Sequence, residues 1–138
     1  MHLLTLLRRA ARLNPHGTST DHGRVSRTWE ETHARVLKLA GALSQLVTED
    51  RACVAILSNN SDRYLEAIFG AMALGGYVVP LNTRLSFREM AYCVGHSQAS
   101  VLLVDGQFAD RARELRAENP ALRQVIAMDP GSGAGDAC

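Results

Sequence analysis

Two short, wholly apolar runs constrain this chain more than any other feature: residues 52–57 (ACVAIL) and residues 99–104 (ASVLLV). Neither leaves a charged face. A strand built from either one is therefore covered on both sides, as in a parallel sheet packed between helices. Each run closes on polar breakers, Ser58-Asn59-Asn60-Ser61 after the first and Asp105-Gly106 after the second.

Helical patterns fill the intervals. Thr28 is followed three residues later by Glu31, the capping-box spacing that satisfies free amides at a helix start. Trp29, Val36, Leu39, Ala40, Leu43, Leu46 and Val47 then mark one face of a helix running to about residue 47, with Glu30, Arg35, Lys38 and Gln45 on the others. A second helix, residues 62–74, is apolar nearly all round and predicted to be buried. Its Gly70 costs about 1 kcal/mol relative to alanine, offset by close packing. Gly75-Gly76 ends it. Residues 77–79 form a short strand, and Pro80 must sit where its nitrogen owes no ladder bond. After a loop over residues 80–85, Ser86 and Glu89 open a helix to about residue 96 through a second capping box. A mixed-charge surface helix over 108–118 stops at Pro120, and residues 124–128 supply a last strand.

Upstream, residues 3–13 predict a helix, residues 14–17 break it, and residues 18–21 and 24–27 form two short strands around His22-Gly23. No repeat of 20 to 50 residues is present. The expectation is an α/β domain over residues 1–128, a mostly parallel sheet with helices on both faces. Residues 129–138 (DPGSGAGDAC) form a flexible glycine-rich tail.

Composition excludes several classes. A net charge of +1 over 138 residues gives no electrostatic argument for nucleic acid. No apolar stretch reaches the roughly 20 residues a membrane-spanning helix needs. Cys53, Cys93 and Cys138 are odd in number and widely spaced, which excludes a disulfide framework and points to a reducing, cytoplasmic compartment. Cys53 reads as a small buried hydrophobe. The five histidines form no metal-binding pattern. The arginine-rich, acid-free start is compatible with an organelle transit peptide or with a surface helix that lays its leucines on the domain.

Little chemistry is visible. There is no GxxxxGK[ST] phosphate cradle and no GxGxxG after a strand; Gly131 to Gly135 lacks the flanking strand and helix. No GxSxG elbow occurs, and Ser58, Ser61, Ser86 and Ser97 read as caps and turns. Ligands of open parallel sheets bind beyond the carboxyl ends of strands, which draws attention to Ser58-Asn59-Asn60-Ser61 and to Pro80-Leu81-Asn82-Thr83-Arg84. The competing reading makes Asn60 or Ser61 a helix cap and Arg84 a partner in an ion pair. Catalytic, cofactor-binding and metal-binding residues are all expected to be absent from this chain.

The order of motifs resembles the AMP-forming acyl-CoA synthetases, the acyl-adenylate-forming ligases. Arg27-Thr28-Trp29-Glu30-Glu31 is similar to the family's "-TY-EL-" helix start, and Leu39-Ala40-Gly41-Ala42-Leu43 to its "LA-AL" continuation. Val54-Ala55-Ile56-Leu57-Ser58-Asn59-Asn60-Ser61 resembles the "VAI-L-N" strand and turn. Tyr64-Leu65-Glu66-Ala67 and Ala71-Met72-Ala73-Leu74-Gly75-Gly76 resemble the helix ending in "-GA". Pro80-Leu81-Asn82-Thr83-Arg84-Leu85 resembles the "PLN-RL" loop, and Glu89, Tyr92, Ser97, Ala99 and Val101 to Asp105 continue the pattern. The resemblance covers roughly residues 3–128. One departure is local: Val47 to Ala52 is shorter than the family's "Gly-Val … Gly-Asp" turn and lacks glycine.

The resemblance implies a reaction in which a carboxylate attacks the α-phosphorus of ATP, giving an acyl-adenylate and pyrophosphate; a thiol, usually coenzyme A, then displaces AMP. It implies ATP, Mg²⁺, coenzyme A and a carboxylic acid as partners of a full-length enzyme of fatty-acid type, none of them bound by this chain. The family's Ser/Thr/Gly-rich loop, nucleotide-binding segments and C-terminal lysine have no matching positions here. The expectation is an incomplete N-terminal subdomain of the ligase fold, inactive alone. Two alternatives stand beside it: a non-catalytic binding or scaffold module derived from that fold, and an unrelated flavodoxin-like nucleotide binder, against which the lack of a phosphate loop argues.

Overall fold

Residues 3–23, 25–48 and 51–129 are described by the computed structural model. The elements are α1 (Leu3–Leu13), β1 (Thr18–His22), β2 (Val25–Thr28), α2 (Trp29–Ser44), β3 (Cys53–Leu57), α3 (Asp62–Ala73), β4 (Tyr77–Pro80), α4 (Phe87–Ser97), β5 (Val101–Val104), a 3₁₀ turn (Gly106–Phe108), α5 (Ala109–Glu118) and β6 (Gln124–Ala127). The α/β expectation holds. Four strands form one parallel sheet in the order β4-β3-β5-β6, and β1 and β2 form a separate antiparallel hairpin.

Why the sheet takes this form follows from its residues. Every residue of β3 and β5 is buried, while β4 and β6 at the rims are only half covered. Alternation along the strands sends side chains to opposite faces. Cys53, Ala55, Leu57, Leu102 and Val104 pack with Met90 and Val94 of α4 and Ala112 and Leu115 of α5. Val54, Ile56, Val101 and Leu103 pack with Leu43 of α2 and Ala67 and Ala71 of α3. The chain steps from β3 to β4 in one direction and from β4 past β3 to β5 in the other. Right-handed crossovers then place α3 and α4 on opposite faces.

Local details explain individual residues. Tyr77 and Leu81 donate their N–H groups to Ala52 and Ile56 across the β3–β4 pair. Alternate nitrogens of β4 therefore point outward, and Pro80, in register with Ile56, loses no ladder bond. A side chain on Gly70 would put its Cβ 2.7 Å from Leu39 Cδ2, so the missing Cβ is what lets α3 approach α2. Helix α2 ends at Ser44 rather than near residue 47. Gln45 N–H turns back to the Ala42 and Leu43 carbonyls, and Val47 reaches the core through a turn. Cys53 is 9% exposed, and burial pushes its thiol up from the ordinary range. Of residues 129–138, only Asp129 is described; the flexible-tail expectation otherwise lies outside the described residues.

Both capping boxes form. Thr28 Oγ1 accepts from Glu31 N–H while Glu31 accepts from Thr28 N–H, and Ser86 and Glu89 repeat the exchange. Ser86→Ala leaves a first-turn amide of α4 without this acceptor, and urea titration is expected to show a loss of about 1 kcal/mol.

Candidate functional site

The sheet reverses its winding between β3 and β5, so the carboxyl ends of these strands open a crevice. Ser58 follows β3, Asp105 follows β5, and Asp105 N–H donates to the Leu57 carbonyl to hold the two ends side by side. Around this point lie His22, Arg27, Ser61, Asp62, Arg63 and Asp129, enclosing about 270 Å³. A second cleft, between the β3 and β4 turns, is lined by Ser58, Asn59, Asn60, Tyr64, Leu81, Asn82 and Thr83. The two loops singled out in the sequence therefore meet across one depression.

Most of their polar groups serve the turns themselves. Ser61 Oγ accepts from Tyr64 N–H at 3.1 Å and caps α3, and Ser58 Oγ donates to the Asn59 carbonyl at 2.8 Å. Asn82 Oδ1 accepts from Arg84 N–H at 3.0 Å. Ser97 Oγ donates to the Val94 carbonyl. Asn59, Asn60 and Arg84 are exposed, and among the described residues Arg84 makes no ion pair. The expected ion pair of Arg84 is thus not formed among the described residues, and its exposed cation stands at the carboxyl rim of the sheet.

The charged floor of the crevice is an ion-pair network that sequence order hides. Arg27 Nε lies 2.9 Å from Asp62 Oδ2 and 3.3 Å from Glu66 Oε1, and Arg35 also pairs with Glu66. Asp62 and Glu66 are each 6% exposed. Burial pushes the Asp62 carboxyl up, but the hydrogen bond from Arg27 and its charge outweigh this and hold it below the usual range. The hydrogen bond that Arg35 donates to Glu66 holds its guanidinium above the ordinary value. On the far side, Arg63 pairs with Asp129 and donates to the Met128 carbonyl, while Asp129 Oδ2 accepts from Gly106 N–H at 2.9 Å. That backbone bond leads the forces that lower the Asp129 carboxyl.

This arrangement does not fit a triphosphate. Three carboxylates, Asp62, Asp105 and Asp129, border the crevice, and Arg27 and Arg63 are already paired with two of them. The hydroxyls of Ser58 and Ser61 are engaged in the turn. No group of three His, Cys, Asp or Glu side chains among the described residues is placed to hold a metal ion. What the rim can offer is a wall: exposed amides at Asn59 and Asn60 and the Arg84 cation, set on rigid strands.

Sequence reading missed Arg27, Arg63 and Asp129 here, because each reaches the crevice through a contact at least 35 residues away in the chain. Asp105 carried a usable signal, its place directly after an apolar strand.

Comparison with known proteins gives a consistent result. Residues 7–136 match the family described as AMP-binding enzyme. A feruloyl-CoA synthase of Amycolatopsis is 36% identical over 109 residues, 79% of this chain and 22% of that protein. A peroxisomal butyrate–CoA ligase of Arabidopsis thaliana is 32% identical over 112 residues, 81% of this chain and 20% of its own length. Among solved structures, the N-terminal domain of FACL13 from Mycobacterium tuberculosis superimposes with a TM-score of 0.83 at 26% identity, covering 94% of this chain and 34% of that one. The chain thus spans about a fifth of the length of the curated relatives it matches.

Proposed function

We infer, for a chain that belongs to the AMP-binding enzyme family, that it is the amino-terminal segment of an ATP-dependent acid–CoA ligase and carries no ligase activity alone. In the complete reaction a carboxylate oxygen bonds to the α-phosphorus of ATP and pyrophosphate leaves. A thiolate then bonds to the acyl carbon and AMP leaves. Positioning and charge neutralisation are the physical demands of the first step. The single observation that carries the reading is the mismatch at the crevice: a family fold whose carboxyl rim holds three carboxylates, with both arginines there already paired.

A second feature supports it. Beside β6, an apolar groove bounded by Leu39, Leu103, Ile126 and Met128 lies open under Arg35, Lys38 and Arg63. Relatives extend well beyond the matched region, so this groove and the unpaired rim of β6 suit further sheet. A fatty acid as the acid is supported by the named activity of a structural neighbour, a fatty acyl CoA synthetase of Mycobacterium tuberculosis at 27% identity. A cytoplasmic location rests on the free thiols of Cys53 and Cys93; no helix among the described residues is long and apolar enough to cross a membrane. Relatives named as peroxisomal make fractionation the check, and recovery in an organelle would overturn that placement.

The reading is tested with the purified 138-residue protein and ATP–pyrophosphate exchange. Exchange is expected at the level of a protein-free blank for short, long and aromatic acids, and robust exchange refutes the inactivity. A non-catalytic scaffold module is the second reading, favoured by the closed packing of both faces of β3 and β5. It predicts a monodisperse, cooperatively unfolding protein with a defined partner, whereas the segment reading predicts aggregation through the β6 groove.

A further inference from the structure

Helix α1 carries more apolar surface than its neighbours cover. It packs on α2 and α3, and Leu7 is only 2% exposed at that contact. Leu3, Leu6 and Leu13 remain 50%, 43% and 66% exposed. At 3.6 residues per turn these three fall within an arc of about 80° beside, not on, the docked face. Arg8 and Arg12 lie on the opposite side, with Arg9 between them and the stripe. The helix contains no acid, and none of its arginines forms an ion pair among the described residues.

A solvated surface helix has no need of an exposed leucine stripe, and a stripe that only awaited a neutral protein face has no need of three unpaired cations. We propose that α1 docks the domain on an anionic lipid surface, with Leu3, Leu6 and Leu13 entering the headgroup–acyl boundary and the arginines held over the headgroups. An interfacial helix requires this division of apolar and cationic sectors. Arg9 borders the leucine stripe. A helix with side chains is roughly 10–12 Å across, so Arg8 and Arg12 also stay within about a Debye length of the phosphates. The chain's net charge of +1 does not oppose this, and attraction to the surface is local, decaying over that length. Tight docking of Leu7 on α2 and α3 keeps the helix folded before it meets lipid. The proposal is independent of any ligase activity.

The test is vesicle co-sedimentation of the 138-residue protein with phosphatidylcholine alone and with phosphatidylcholine containing phosphatidylglycerol. Binding is expected only to the anionic vesicles, and expected to fall as salt is raised. Replacing Arg8, Arg9 and Arg12 together with Gln should weaken it by at least about tenfold. Replacing Leu3, Leu6 and Leu13 together with Ser should abolish it, with the cooperative urea transition retained and its midpoint only slightly lowered, because all three side chains are largely exposed. Equal sedimentation with both vesicle types, or none with either, overturns the proposal. Full binding by the leucine variant would show a purely ionic contact and overturns it as well. So does a lipid-free dimer that the leucine substitutions dissolve, which would assign the stripe to a second copy of the chain.

Discussion

Gly76→Ala is expected to cost this domain about 3 kcal/mol of unfolding free energy, at the upper end of overpacking changes. A Cβ at residue 76 would stand 2.2 Å from the carbonyl oxygen of Ala52. That oxygen cannot retreat at low cost. It accepts the Tyr77 N–H at 2.9 Å in the first bond between β3 and β4, and Ala52 itself is 3% exposed. Relief requires moving the start of one strand away from the other, which disturbs the register that continues to Ile56 and Pro80. The neighbouring glycine supplies the control. Gly75 has φ +73 and nothing within 4 Å of a built Cβ, so Gly75→Ala pays only the left-handed backbone penalty of about 1–2 kcal/mol. Urea unfolding followed by the fluorescence of Trp29, the only tryptophan, measures both. Equal losses at the two positions would remove the steric explanation.

Arg27→Ala is expected to cost about 2–3 kcal/mol at neutral pH, somewhat below a fully buried pair because the arginine is 22% exposed. The substitution removes the cation that Asp62 and Glu66 share and leaves two nearly buried carboxylates, Glu66 with Arg35 and Asp62 with the more distant charge of Arg63. The pH dependence follows from Asp62. Its folded carboxyl is depressed, so its contribution is complete above the unfolded value of about 3.9 and disappears as pH falls through the lower folded value. Without Arg27, burial acts on Asp62 with less opposition, its folded carboxyl rises, and the variant's deficit relative to wild type should shrink as pH falls below about 3.9. Unfolding titrations at neutral pH and on both sides of that value read both effects. A variant with the wild-type acid profile would show that Asp62 finds water when its partner is removed. In an Asp62→Asn, Glu66→Gln background the same arginine substitution should cost much less, since no charge is stranded.

How much of this was legible in the sequence depends on the range of the interaction. Residues 52–57 and 99–104 announced buried parallel strands, because full burial removes alternation and the runs show it. Thr28 with Glu31 and Ser86 with Glu89 announced helix starts, since capping is settled within four residues. Gly70 signalled a close approach, although Leu39 as its neighbour could not be read. The end of α2 was misplaced by about three residues, because Val47 is apolar for a core contact made from a turn. The crevice was legible only in outline. Ser58 to Ser61 and Asn82 to Arg84 were placed correctly at strand ends, yet Ser58, Ser61 and Asn82 proved occupied by the turns, which leaves Asn59, Asn60 and Arg84 exposed. The Arg27–Asp62–Glu66–Arg35 cluster joins a hairpin strand to two helices, and no local pattern encodes it.

The two rims of the sheet differ in their capacity to take on another strand. Along β4 the outward-facing nitrogens belong to Val78 and Pro80, and the second has no hydrogen to give. Among the described residues β6 has no such block. Growth of the sheet is therefore directional: the first rim discourages stray pairing between molecules while the second stays receptive. A free strand that meets this sheet finds hydrogen-bonding partners along β6 and fewer along β4.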